Sequence, residues 1–171
     1  KRKLKDYEIL VVCDSDKNKA DRAAKIFKCQ KIYNYFSMLN KFENKLDLII
    51  ILTPSGSHYE QSMMALSKNF NVLCEKPATM LSKDALKIDK LSKKKKKMFG
   101  IAFQNRFNKS VVTLKKLYDK KKFGKILIVN VRLLWSRYQN YYNDKWHGKW
   151  KYDGGVTNQQ AIHHIDVARW I

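Results

Sequence analysis

Short apolar runs alternate with segments of helical period through most of this chain, and that alternation constrains its fold more than any other feature. Glu8 to Cys13 and Leu46 to Leu52 read as strands, as do the shorter stretches Asn71 to Cys74 and Met98 to Phe103. Between the first two, Ala20, Ala23, Ala24 and Phe27 recur at helical spacing behind Asp16, a helix-capping residue type. Ser57 to Lys68 is a helix that offers Met63, Met64 and Leu66 to a core. Ser82 starts another, with Asp84 in its first turn and Ala85, Ile88 and Leu91 on one face. Ser110 to Lys121 is a further helix, stopped at Phe123-Gly124. Strands alternating with helices over short loops imply a parallel sheet with helices on both faces. Apolar runs without polar alternation imply strands buried on both sides.

After Phe123 the pattern changes. Lys125 to Trp135 reads as a long strand with no immediate helix behind it. Ser136 to Asp153 is aromatic, polar and loop-like, and Gly154-Gly155 leads into a helix over roughly Asn158 to Ile171. The expected class is therefore α/β: an incomplete Rossmann-type parallel sheet over residues 1–123, then the start of a second α/β domain with an open sheet over 124–171.

The balance of 44% hydrophobic and 30% charged residues is that of a soluble globular chain. No apolar run approaches the ~20 residues of a membrane helix. The basic start, Lys-Arg-Lys-Leu-Lys-Asp, has no apolar stretch behind it and is not a secretory signal. Cys13, Cys29 and Cys74 are scattered and odd in number, which fits a reducing, cytoplasmic compartment rather than a disulfide framework. The net charge of +21 raises a nucleic-acid or anionic-surface reading. Its lysines, however, are spread over nearly every expected helix, and the densest run, Lys93 to Lys97, falls where a helix C-terminus favours cations. Arginine-rich stripes with interleaved aromatics are missing there, so compositional drift is the preferred account.

In an open parallel sheet, ligands bind beyond the carboxyl ends of the strands. Three polar clusters fall at such ends: Thr53-Pro54-Ser55-Gly56-Ser57-His58, Glu75-Lys76-Pro77, and Gln104-Asn105-Arg106. Turns favour such residues in any case, but lysine is rarely buried without a partner, which singles out Lys76. Asp14 ends the first expected strand. There it is either a turn residue or the acid that accepts hydrogen bonds from an adenosine ribose, and the second reading favours NAD over NADP. No G-x-G-x-x-G occurs, so the chain is expected to begin after the glycine-rich turn, with Lys1 to Asp6 as the tail of the first helix or its loop. On the last helix Gln159, His163 and Asp166 share a face, whereas His163 and His164 point to different faces and are not expected to line one cleft together. A structural and a catalytic reading of His163 both stand at this point. A metal would need more ligands than one such face offers.

These clusters, in this order, resemble the Gfo/Idh/MocA family of dehydrogenases. The resemblance rests on Thr53-Pro54 through His58, on Glu75-Lys76-Pro77, and on Gly154-Gly155 through His163 and Asp166-Val167-Ala168-Arg169-Trp170. It implies an N-terminal Rossmann domain, a C-terminal domain with an open sheet, homo-oligomers and a small-molecule substrate. It implies Lys76 and His163 as catalytic residues. It also implies NAD contacts from Asp14, Thr53, Pro54, Ser55, His58, Glu75, Lys76 and Gln104. Many members carry aspartate where this chain has Gln159. A narrower resemblance, through Gln104 to Asn108, Trp135 to Tyr142, Trp146 to Trp150 and Asn158 to His164, is to the branch that oxidises C3 of UDP-linked N-acetylglucosaminuronic acid, which also lacks that aspartate. Arg106, Arg137, Asn158, Gln159 and His163 are then candidate substrate contacts. The rival readings are a truncated, inactive homologue serving as an interaction module, and a basic nucleic-acid binder.

Overall fold

A computed structural model describes residues 7–144 and 146–171, so the reading of Lys1 to Asp6 lies outside the described residues. The chain runs β1 (Val11–Cys13), α1 (Lys17–Phe27), β2 (Gln30–Ile32), α2 (Tyr35–Lys41), β3 (Leu48–Ile51), α3 (His58–Ser67), β4 (Asn71–Cys74), α4 (Ser82–Lys95), β5 (Phe99–Ile101) and α5 (Lys109–Asp119). A short α6 (Gln139–Tyr142) and α7 (Ile162–Trp170) follow. All strand pairs are parallel: β1 with β2, and β3–β4–β5 as a second group.

The helix termini follow from local chemistry. Asp16 caps α1, accepting from the amides of Asn18 at 3.0 Å and Lys19 at 3.3 Å. Asn34 caps α2 through the Ser37 amide at 2.9 Å. The cations Lys93, Lys94 and Lys95 occupy the last turn of α4, where the helix dipole favours them. Ser82 is the first residue of α4 rather than its cap, which is Leu81 without a side-chain bond. The pair β2 and α2 escaped the sequence reading, although Tyr35, Met38, Leu39 and Phe42 recur at helical spacing and pack in the core.

The core joins α2, α3 and α4 to the central strands through Leu39, Ile49, Ile51, Leu66, Phe70, Val72, Cys74 and Ile88. The expectation of strands buried on both faces needs correction at β3. Ile49 and Ile51 are buried, but Leu48 and Ile50 face outward, Ile50 being 56% exposed. Lys125 to Trp135 is likewise not a strand: no ladder bonds join it to the described residues, and Leu127, Ile128 and Leu134 lie exposed. A β-strand exists only with a partner, and β-forming composition alone does not supply one. The last expected helix is also divided. Thr157–Ala161 forms a π-helical turn that passes into α7. Its approach is made by Gly154 and Gly155, both at positive φ (71° and 76°), where a side chain would be strained. A Cβ on Gly154 would also meet the Asn158 amide nitrogen and Met80 Cε at 2.6 Å.

Among the described residues, no helix is long and apolar enough to cross a membrane.

Candidate active site

Parallel pairing in register brings the carboxyl ends of β3, β4 and β5 to one edge of the sheet. Thr53, Glu75 and Gln104 therefore emerge side by side, and the shared edge expected from the sequence is present. β4 delivers Lys76 directly to this edge. Its main chain is fixed by the strand behind it: the Glu75 amide donates to the Ile51 carbonyl at 2.9 Å. The Glu75 carboxylate turns back to accept from the Lys76 amide at 3.1 Å.

The segment before α7 closes over the same edge. The backbone at Lys151 and Tyr152 approaches Gly56 so closely that a Cβ there would lie 2.9 Å from the Lys151 carbonyl. Glycine at position 56 is thus required by contact rather than by φ. Asp153, buried, accepts from the Gly148 amide at 2.8 Å and pins the turn in between.

These elements enclose an open cavity of about 450 Å³. One wall carries Lys76, Gln104 and Asn105, another Gln159, Gln160, His163 and His164, and a third Trp135, Arg137, Tyr141, Trp146 and His147. Of the residues singled out in the sequence, Lys76, Gln104, Arg137, Gln159 and His163 meet here. Lys76 Nζ donates to both the backbone oxygen and the side-chain oxygen of Gln159. A π-helical turn breaks the usual carbonyl pairing and often marks a functional site, and here a freed carbonyl is taken by the lysine. Burial pushes the Lys76 ammonium below its ordinary pKa, against the opposing pull of Glu75 and Asp153. Burial, reinforced by Lys76, also lowers His163, while Glu75 and Asp166 pull the other way. His163 Nδ1 is buried without a hydrogen-bond partner among the described residues.

The third wall stacks a cation among aromatic rings. The Arg137 guanidinium lies 4.9 Å from the Trp135 ring centre and 5.3 Å from that of Tyr141. His147, whose Nδ1 pairs with Asp144, stacks within 4.0 Å of Tyr141 and 3.7 Å of Trp146, centre to centre.

Several expected site residues do not line this cavity. His58 is buried, with one ring nitrogen 2.7 Å from the Pro77 carbonyl and the other 2.7 Å from that of Thr53. It ties two strand-end loops together and does not face the cavity. Thr53 hydrogen-bonds Gln61 at 2.7 Å, Pro54 is exposed and Ser55 is buried. Arg106 does not line the cavity either; its guanidinium is engaged by Asp166. Asn158 packs against Gly154. Asp14 stands at the end of β1, one carboxylate oxygen accepting from the Asp16 amide at 2.9 Å.

The expectation that His163 and His164 cannot share a cleft is corrected. Both line the cavity, which wraps around the start of α7 rather than meeting one stripe of it. Asn105, Gln160 and the aromatic wall were not assigned site roles. Their signals were the strand-end cluster Gln104-Asn105-Arg106 and the stretches Trp135 to Tyr142, Trp146 to Trp150 and Asn158 to His164, in which they lie. Among the described residues, no group of three His, Cys, Asp or Glu side chains is placed to hold a metal ion.

The fold has known counterparts. The WlbA dehydrogenase of Chromobacterium violaceum, solved with NADH and UDP-GlcNAcA, superposes with a TM-score of 0.90 at 35% identity, over 95% of this chain and 47% of that one. The WlbA dehydrogenase of Bordetella pertussis, with the same ligands, gives a TM-score of 0.90 at 29% identity, over 95% and 50%. In sequence, inositol 2-dehydrogenase of Salmonella typhimurium is 28% identical over 167 residues, covering 96% of this chain and 46% of the relative. The chain thus spans about half the length of the relatives it matches. The family model described as "Oxidoreductase family, NAD-binding Rossmann fold" matches residues 1–103, and that of the "GFO/IDH/MocA C-terminal domain" matches residues 111–171. This chain belongs to the Gfo/Idh/MocA oxidoreductase family.

Proposed function

We propose that a full-length protein carrying this sequence is an NAD-dependent dehydrogenase that oxidises a secondary hydroxyl of a nucleotide sugar, namely C3 of a UDP-linked N-acetylhexosaminuronate. The observation that carries this reading is the meeting of Lys76, from the end of β4, with His163, from α7, in one cavity. In this reading residues 1–123 belong to the nucleotide domain and 124–171 open the substrate domain of a homo-oligomer.

Oxidising an alcohol means removing the hydroxyl proton as a hydride departs. His163, whose pKa is lowered by burial and by Lys76, is the base for that proton. The Lys76 ammonium stabilises the charge that develops on the oxygen. It is held in place by two neutral acceptors on Gln159 rather than by a carboxylate, so its positive charge stays available to the substrate. NAD, when bound, supplies the hydride acceptor. The donor set at the strand ends fits such a cofactor: Asp14 offers a carboxylate for the ribose diol, and Lys76 and Gln104 line the cavity at the reacting end. Arg137, stacked on Trp135 and Tyr141, offers a fork of donors for a carboxylate or diphosphate. The two WlbA dehydrogenases were solved with NADH and UDP-GlcNAcA, which supports the same ligand classes here. A wall built around the Arg137 cation also favours an anionic nucleotide sugar over a neutral polyol such as inositol.

The test is direct. With NAD and UDP-N-acetylglucosaminuronic acid, the protein should form NADH and a product two hydrogens lighter. NADH formed from myo-inositol but not from the nucleotide sugar would refute the substrate reading. For the cofactor, the Asp14 carboxylate should repel a 2′-phosphate, so kcat/KM should be higher with NAD than with NADP. Asp14→Ala should narrow that ratio. A parent enzyme that prefers NADP would contradict the role given to Asp14.

A further inference from the structure

Arg106 lies in the turn after β5, and Asp166 lies on α7 three residues beyond His163. Arg106 Nε donates to Asp166 Oδ2 at 2.7 Å, and Nη2 donates to Oδ1 at 2.5 Å. The pair is bidentate, and the aspartate is 9% exposed. The same guanidinium lies 5.6 Å from the Phe103 ring centre and 5.4 Å from that of Trp170, a further residue of α7. Phe103 in turn meets His163 edge to face, with ring centres 6.2 Å apart. One turn of the β5 loop therefore grips three residues of the helix that carries the proposed base.

No side-chain capping bond fixes the rotation of that helix. It is entered through two glycines at positive φ and a π-helical turn, and it has no side-chain cap. Consecutive helix positions differ by about 100°, so a rotation of one residue would put His164 where His163 stands. A forked, planar ion pair defines orientation in a way a point charge does not.

Given the proposed role of His163, we infer that Arg106 is a positioning residue: its bidentate pair with Asp166 sets the rotation of α7 and so presents His163, rather than His164, to the substrate hydroxyl. Arg106 acts through Asp166 and Phe103 and does not touch substrate.

The experiment uses the full-length protein with Arg106→Gln, Arg106→Lys, Asp166→Asn and the double variant Arg106→Gln/Asp166→Asn. Each single neutral variant should lower kcat at least tenfold, as small misplacements of a catalytic group do, and the KM for NAD should stay within about twofold. The double variant should be no worse than the weaker single, because both remove one interaction. Arg106→Lys should recover only part of the loss, having charge without the fork. A second readout needs no turnover: the pH dependence of His163 modification by diethylpyrocarbonate, followed by mass spectrometry. The ring faces Lys76 and Glu75 from the end of β4 and His164 and Asp166 from its own helix, with burial as the main influence. In Arg106→Gln the ring gains water and an unpaired Asp166 nearby, so its midpoint should rise, with melting temperature as the control. Losses that multiply in the double variant would overturn the inference. So would a His163 midpoint unmoved by Arg106→Gln, or a higher sugar KM in Arg106→Gln while Asp166→Asn is silent. A parent that forms no NADH from the nucleotide sugar would instead count against the substrate reading, and the modification midpoint would still decide the role of Arg106.

Discussion

Replacing Lys76 with Met is expected to lower turnover about 10²-fold or more, the scale of losing a positioned acid–base group, with NAD binding largely kept. Methionine preserves much of the chain length and can occupy the half-buried site, but it carries neither charge nor donors. The charge forming on the substrate oxygen would then have no cation beside it. The adenosine end of NAD, which is proposed to meet Asp14 at the end of a different strand, would be untouched. The substitution also strips two oxygens of Gln159 of their donor. Leaving a buried acceptor unpaired costs about 1–3 kcal/mol, so a modest drop in melting temperature should accompany the loss of rate. A loss of turnover explained entirely by unfolding, or a variant with near-normal kcat, would remove Lys76 from the chemistry.

His163→Asn is expected to produce a comparable fall and to flatten the pH dependence near neutrality. The sign follows from the environment. A base works only when unprotonated, and burial together with Lys76 lowers the pKa of His163. The parent enzyme should therefore keep its activity to a more acidic pH than an ordinary imidazole would allow, losing it only as pH falls through the lowered value. Asparagine does not titrate there, so that acid limb should vanish. His164→Asn is the control. It shares the cavity wall, but it should retain most of the turnover and the acid limb. If His164→Asn abolished turnover while His163→Asn spared it, the assignment of the base would be reversed.

Much of this site was legible in the sequence because it depends on strand ends. A run such as Asn71 to Cys74, bounded by polar residues, fixes where β4 stops, and Lys76 follows within two residues. The Asp16 cap was legible for the same reason: its partners lie two and three residues away. What was not legible depends on partners distant in the chain. The charge of Arg106 invited a substrate role, yet it is spent on Asp166, sixty residues on. The polar composition of the turn around His58 gives no sign that its imidazole lies between two carbonyls from separate loops. The π-helical turn shares its composition with an ordinary helix, and the carbonyl it frees is met by Lys76 from another element. Lys125 to Trp135 has strand composition but no partner among the described residues, and no local pattern foretells that.

In the proposed reaction Lys76 and His163 converge on one substrate hydroxyl. A crystal structure of the full-length protein with NAD and UDP-N-acetylglucosaminuronic acid measures it directly. The C3 hydroxyl oxygen should lie within hydrogen-bond reach, about 2.6–3.2 Å, of both Lys76 Nζ and a ring nitrogen of His163. A C3 hydroxyl bound away from either side chain, with another group in the place of the base, would contradict it.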